Sequence, residues 1–283
     1  MLSGAGDLLR MRPGLIPRLL PLLLESEVPL GPEEEIELDG LLRRIRDGAA
    51  HGSAPDDVAH HDRAPRGGAL LSPIQALSFW LMKRRAGQVG ERLGRELLAP
   101  IFAALGDQAP RLHLIGHSSG AKLLASAVMA GLSPQSLILL LAAFSAFALA
   151  DEVPGTKRQG FYRPVLAERL VAGPIVALRS VHDRVLGTLY PAVTSAGEVD
   201  RAAPDPRRLD RVREVMAGSA MGAVGARGVG APDLELVSVQ RTGLPRCPVI
   251  NIDGSRVVME KEWLIGARCD NHDDEIATLL RET

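Results

Sequence analysis

The chain has 283 residues, 46% of them hydrophobic, and a formal net charge of -1. That length can bury a large core and fits one sizeable α/β domain or two small ones. A near-neutral balance excludes the basic footprint of non-specific nucleic-acid binding, and an aromatic content of 3% leaves no base-stacking platform.

Residues 1–47 read as one or two amphipathic helices, ending in "EIELDGLLRRIRDG". The apolar "LIPRLLPLLL" near the start has a signal-peptide flavour. Prolines interrupt it, however, and no small-residue cleavage site follows. Residues 48–73 are rich in Gly, Pro, Asp and His and carry no hydrophobic period, which predicts a linker or mobile loop. His51, His60 and His61 fall there without a rigid element to set ligand geometry, so no metal site is expected.

The main domain is expected over 74–283. In "IQALSFWLMKRRAG" the spacing of Ile74, Leu77 and Leu81 predicts a helix, with Phe79 and Trp80 in the core. A second helical run, "ERLGRELLAPIFAAL", follows. "RLHLIG" is too brief for a helix and reads as a strand, with "LHLI" apolar on both faces. "KLLASAVMA" reads as a helix stopped by Gly131 and the Ser133-Pro134 pair. "SLILLLAAFS" and "GPIVALRS" are continuous apolar runs, as expected of strands buried on both faces. Helices between them imply a parallel sheet with right-handed crossovers.

A Gly/Arg/Pro-rich insert is expected at about 195–233, "PVINI" is the last strand, and "NHDDEIATLLRE" closes the chain as a helix. The apolar 136–150 run falls short of the roughly 20 residues a spanning helix needs, so no membrane span is expected. Cys247 and Cys269 lack metal-ligand spacing. Two thiols in a chain of this size point to a reduced, cytoplasmic protein, with a disulfide between them as the alternative.

One stretch carries chemistry. "RLHLIGHSSGAKLL" runs from the strand through Gly116-His117-Ser118-Ser119-Gly120 into the helix. A serine at the tip of so tight a strand-to-helix turn takes a strained backbone, and its neighbours two residues away pass close together. Gly116 and Gly120 have no Cβ to collide there. The hydroxyl stands exposed above the sheet, and the Ser119 amide at the helix start points at any oxyanion formed nearby. A phosphate-binding loop would also lie between strand and helix, and Lys122 falls at its lysine position. Ala121 stands where that loop needs glycine, however, and Leu123 replaces the metal-binding hydroxyl.

A serine needs a base, and the base needs an orienting acid, both from loops at strand C-terminal ends. Asp183 lies just beyond "GPIVALRS", where the acid belongs; a loop aspartate capping a helix is the competing role. His272, the only histidine after position 182, lies beyond the last strand as the candidate base. His182 flanks the acid, and His113 and His117 read as packing or rim residues.

The order Ser118, Asp183, His272 with the "GHSSG" turn resembles the α/β-hydrolase superfamily. "LSFWLMKRRAGQVG", "LGTLYP" and "SAMGAVGARG" are similar to segments of a group of bacterial α/β-hydrolase-fold proteins. The resemblance covers residues 74–283. It implies an esterase-like serine hydrolase that cleaves an ester or related acyl bond of a small molecule through an acyl-enzyme, with no cofactor.

The chain departs from that family in two respects. The apolar strand followed by His-Gly, which supplies a second oxyanion amide, has no counterpart; His51-Gly52 follows a helical-looking segment. The early strands are missing, so the expected fold is a parallel-sheet α/β-hydrolase fold incomplete on its N-terminal side, with an added helical segment. The elbow strand then becomes an open edge. The N-terminal helices, a partner chain or a second copy would cover it, or the chain lacks part of the ancestral domain. These departures support a second reading, a catalytically silent fold serving as a binding or interaction module.

Overall fold

The computed structural model describes residues 30–50, 73–183, 186–187, 190, 219–259 and 268–269. Helix α1 (Pro32–Ala50) opens with proline at its first position and Glu33, Glu34 and Glu35 in its first turn. Proline's missing N–H costs nothing there, and the carboxylates face the positive end of the helix dipole. Helix α2 (Pro73–Arg92) passes through a π-helical segment, Leu93–Leu98, directly into α3 (Ala99–Leu105). The two helical runs expected from the sequence are therefore one rod. Pro100 explains the wider turn, since it cannot donate to the carbonyl one turn earlier and the helical ladder must be redrawn just before it.

Five strands form an all-parallel sheet: β1 (His113–His117), β2 (Ser136–Leu140), β3 (Ile175–Arg179), β4 (Asp233–Glu235) and β5 (Val249–Asp253), in the order β1-β2-β3-β5-β4. Helix α4 (Ser119–Met129) connects β1 to β2. Shorter helices are α5 (Arg163–Ala167), α6 (Met221–Val224) and α7 (Leu236–Thr242). Beyond β5, β6 (Val258–Met259) pairs antiparallel with β7 (Arg268–Cys269). The α/β parallel architecture is thus as the buried apolar runs imply.

The sheet separates two cores. Leu114, Leu137, Leu139, Ile175, Ala177 and Val249 face α4 and α5. Ile138, Val176, Leu178, Ile250 and Ile252 face Leu186, Tyr190 and α7. The rod packs beside α4 through small residues; a Cβ on Gly90 would lie 1.9 Å from the Leu123 carbonyl oxygen, so only glycine permits this approach.

Four details differ from the sequence expectation. Strand β1 is buried on one face alone: Leu114 is covered, whereas Ile115 is 45% exposed. Among the described residues β1 pairs with β2 only, so its other edge is unpaired there. Strand β2 ends at Leu140, because Leu141 turns the chain with φ of +46°. The apolar residues that follow form a buried loop rather than more strand, and its backbone is satisfied across the sheet's end. Gly222 donates to Ala142, Met221 to Phe144, and Ala146 to Ser219. Residues 219–226, expected to fall within an insert, are therefore woven into the core, with Ala220 and Met221 fully buried. Strand β4, at the far edge, was not expected at all. Cys247 is a free thiol.

Of the linker expected over 48–73, residues 48–50 instead end α1 and Pro73 opens α2. Residues 1–29, the rest of the linker with His51, His60 and His61, the insert to residue 218 and the C-terminal helix expectation lie outside the described residues. No helix among those described is long and apolar enough to cross a membrane.

Candidate functional site

Ser118 sits at the corner between β1 and α4 with φ 55° and ψ -121°. A non-glycine residue held there stores roughly 1–3 kcal/mol of strain, which the surroundings must overcome. They do so through the backbone. The Ser118 N–H donates to the Leu140 carbonyl at 2.9 Å, and its own carbonyl accepts from Ala121 at 3.1 Å and from Ala143 at 3.2 Å. Serine is among the best helix caps, yet this side chain caps nothing. Among the described residues its hydroxyl has no hydrogen-bond partner. Ser119 is the first residue of α4, so its amide is one of those that a helix leaves without an internal acceptor.

The two glycines of the turn are not equivalent. A Cβ on Gly116 would meet the Ala121 Cα and N and the Gly120 carbonyl oxygen, each at 2.7 Å. A Cβ on Gly120 would meet nothing within 4 Å, so the steric reason for glycine holds at Gly116 alone. Gly116→Ala is therefore expected to lower stability by about 3 kcal/mol, against a change within about 0.5 kcal/mol for Gly120→Ala. Urea midpoints of the two variants check this, and equal losses would show that the corner is not sterically locked.

Asp183 follows β3 at the same end of the sheet, 4% exposed. One of its carboxylate oxygens accepts the Leu186 amide at 3.0 Å, three residues on, as a capping aspartate does. A carboxylate has capacity for further donors. Neighbouring Ser180 organises this corner: its hydroxyl donates to the Val258 carbonyl at 2.8 Å and accepts the His182 amide at 3.1 Å. Strands β1 and β3 flank β2, so Ser118 and Asp183 leave strands about 9–10 Å apart, a span that one imidazole with two hydrogen bonds covers. His117 is exposed at the end of β1, and His113 bonds Ser136 through Nδ1 at 2.8 Å. His272 lies outside the described residues.

The chain matches no family model, no curated protein and no solved structure. The site's chemistry rests on its own geometry.

That geometry holds a second feature. Helix α1 pushes three carboxylates among three cations, all largely withdrawn from solvent. Glu37, 0% exposed, pairs with Lys83 and accepts from the Tyr190 hydroxyl. Lys83 also reaches Tyr190 Oη at 3.2 Å. Glu34 pairs with Lys122 and lies 3.7 Å from Arg84. Glu33 accepts the Phe161 amide at 2.9 Å through one oxygen, while its other, buried oxygen has no partner. Tyr162 shares a 2.7 Å hydrogen bond with Ser126 beneath them. Lys122 is thus turned away from any phosphate that a loop at Gly116 could hold.

The sequence analysis assigned these charged residues no role, because the partners lie on different helices far apart in the chain. The available signal was spacing: Lys83, Arg84 and Gly87 continue the helical face of Trp80, which is core.

Burial pushes the Glu33 carboxyl from 4.5 up to about 7. A carboxyl raised in this way favours the folded state fully below pH 4.5 and loses that contribution as pH rises through about 7. Glu33→Gln, which stays neutral, is expected to match the parent near about pH 4 and to exceed its stability by about 2–3 kcal/mol above about pH 8. Denaturant midpoints across that range read the difference; a constant offset would mean that Glu33 is charged throughout.

Proposed function

We propose that the protein is a serine hydrolase of α/β-hydrolase type that cleaves an ester or related acyl bond of a small molecule. The observation that carries this reading is the Ser118 corner: a strained serine, locked by Gly116, whose hydroxyl neither caps the helix nor bonds a described neighbour. In the reaction, Ser118 Oγ attacks the acyl carbonyl and His272 takes its proton. Asp183 orients the imidazole and stabilises its charge, and the Ser119 amide donates to the oxyanion. His272 then protonates the leaving alcohol, and water, deprotonated by the same histidine, releases the acyl group.

The course of the chain supports His272 as the base. Val258 is tied to Ser180 at the foot of the Asp183 loop and pairs with Cys269 in β7. The three residues from Cys269 to His272 span at most about 10 Å, a length compatible with the proposed role.

A fluorophosphonate probe tests the proposal. Labelling is expected on the peptide that carries Ser118, is abolished in Ser118→Ala, and slows by about 10²–10⁴-fold in His272→Ala. A label that persists in Ser118→Ala refutes the assignment. An unlabelled but folded wild type favours the silent binding module, for which the exposed Ile115 face of β1 is the specific support.

A further inference from the structure

The Glu33–Glu34–Glu37 cluster does more than tie a helix down. Burying ions is expensive, and replacing buried pairs with apolar side chains is often neutral or stabilising. Helix α1 has apolar anchors elsewhere, in Leu38 and Leu41 against Trp80 and in Ile36 against Phe147. Even so, its first turns carry three carboxylates into a socket formed by Lys83, Arg84 and Lys122.

The fit is incomplete. One oxygen of Glu33, itself 4% exposed, has no partner, and it lines a cavity beside Lys122 and Tyr162. A neighbouring cavity lies between Arg84, Gly87, Lys122 and Ser126. Each has room for about one water molecule. Burial pushes Glu33 up and pulls Lys122 down, both to about 7, so each holds its charge at a cost under its present neighbours.

We infer that Lys83, Arg84 and Lys122, with the Ser126 and Tyr162 hydroxyls, form a binding site for a multiply charged phosphate group, which α1 fills with its own glutamates in the structure described. Two ammonium groups and a guanidinium offer donors without acceptors, and an anion both accepts from them and balances their charge. A phosphate presents several acceptor oxygens and carries its charge on one centre. Two separate carboxylates, Glu34 and Glu37, need two side chains ordered to do the same. The site also has a route to the candidate nucleophile. Lys122 stands on the first turn of α4, just beyond Ser118, and Tyr190 follows Asp183, so α1 straps both segments at once. Phosphate entering the socket displaces the first turns of α1 and releases that strap.

The test uses the full chain with inorganic phosphate as probe and chloride at equal ionic strength as control. Glu34→Gln with Glu37→Gln weakens the internal occupant and is expected to bind phosphate at least about tenfold more tightly than wild type in calorimetry. Adding Lys122→Gln is expected to weaken that binding by about 30-fold or more. In the wild type, phosphate but not chloride is expected to speed hydrogen exchange of the α1 amides.

Sulfate and acetate arms separate recognition of a multiply charged tetrahedral anion from general anion binding, and equal binding of acetate counts against the assignment. Phosphate binding that ignores Lys122→Gln overturns the site. If the glutamate variants do not fold, unchanged α1 exchange in wild-type protein with phosphate overturns it alone. Because every readout is binding or exchange, the result is independent of whether Ser118 is a nucleophile.

Discussion

Ser118→Gly is expected to make the protein more stable and chemically inert at the same time. Glycine adopts φ 55°, ψ -121° without the Cβ clash that serine suffers there, so the roughly 1–3 kcal/mol stored at the corner is recovered. The flexibility that glycine adds to the unfolded chain takes back about 0.5–1 kcal/mol, which leaves a net gain of about 1 kcal/mol. Under the proposed function, loss of the Ser118 hydroxyl is expected to reduce acyl-ester turnover by about 10⁴-fold or more, since a triad without its serine retains only oxyanion binding and substrate positioning. Thermal or urea unfolding beside hydrolysis of a chromogenic ester reads both effects. The opposite signs identify the strain as held for function. A Ser118→Gly variant less stable than wild type would mean that the hydroxyl holds the corner together. A stable variant with unchanged turnover would place the chemistry elsewhere.

The corner was legible because its signal is local: an apolar run too short for a helix, a glycine that must sit beside Ala121, and a helix-favouring segment. The bonds to Leu140 and Ala143 that hold Ser118 in its strained conformation were not legible there. Strands β2, β3 and β5 were legible for a related reason: in a sheet covered on both faces, hydrophobicity is nearly continuous. What stayed hidden was decided by distant partners. Leu141 ends β2 not through any local breaker but because Leu178 and Gly222 meet the chain there. Strand β4 is only three residues long, and its pattern cannot be told from a loop without β5 beside it. The burial of Glu37 and Lys83 depends on contacts 46 residues apart in sequence, and no window over either helix reveals it.

That buried pair gives the second large effect. Lys83→Met is expected to destabilise the protein by about 3–5 kcal/mol, because it leaves the fully buried Glu37 charge without its ammonium, beside the neutral Tyr190 hydroxyl. The penalty belongs to the orphaned carboxylate rather than to the lost attraction, so it should largely disappear when the carboxylate goes too. Lys83→Met with Glu37→Leu is expected to recover most of the loss, whereas Glu37→Leu alone leaves an uncompensated ammonium beside the Tyr190 ring, 5.0 Å from its centroid. The cycle of four proteins, read by urea midpoints, yields a coupling energy of about 2 kcal/mol or more if the two groups form a desolvated pair. Additive single effects would show water reaching both charges, and the α1 socket would then be an exposed salt bridge worth less than about 1 kcal/mol. The same cycle separates two roles for α1. A double variant that is stable yet keeps α1 protected from exchange shows that the apolar anchors Leu38, Leu41 and Ile36 hold the helix, leaving the charged residues available for a ligand.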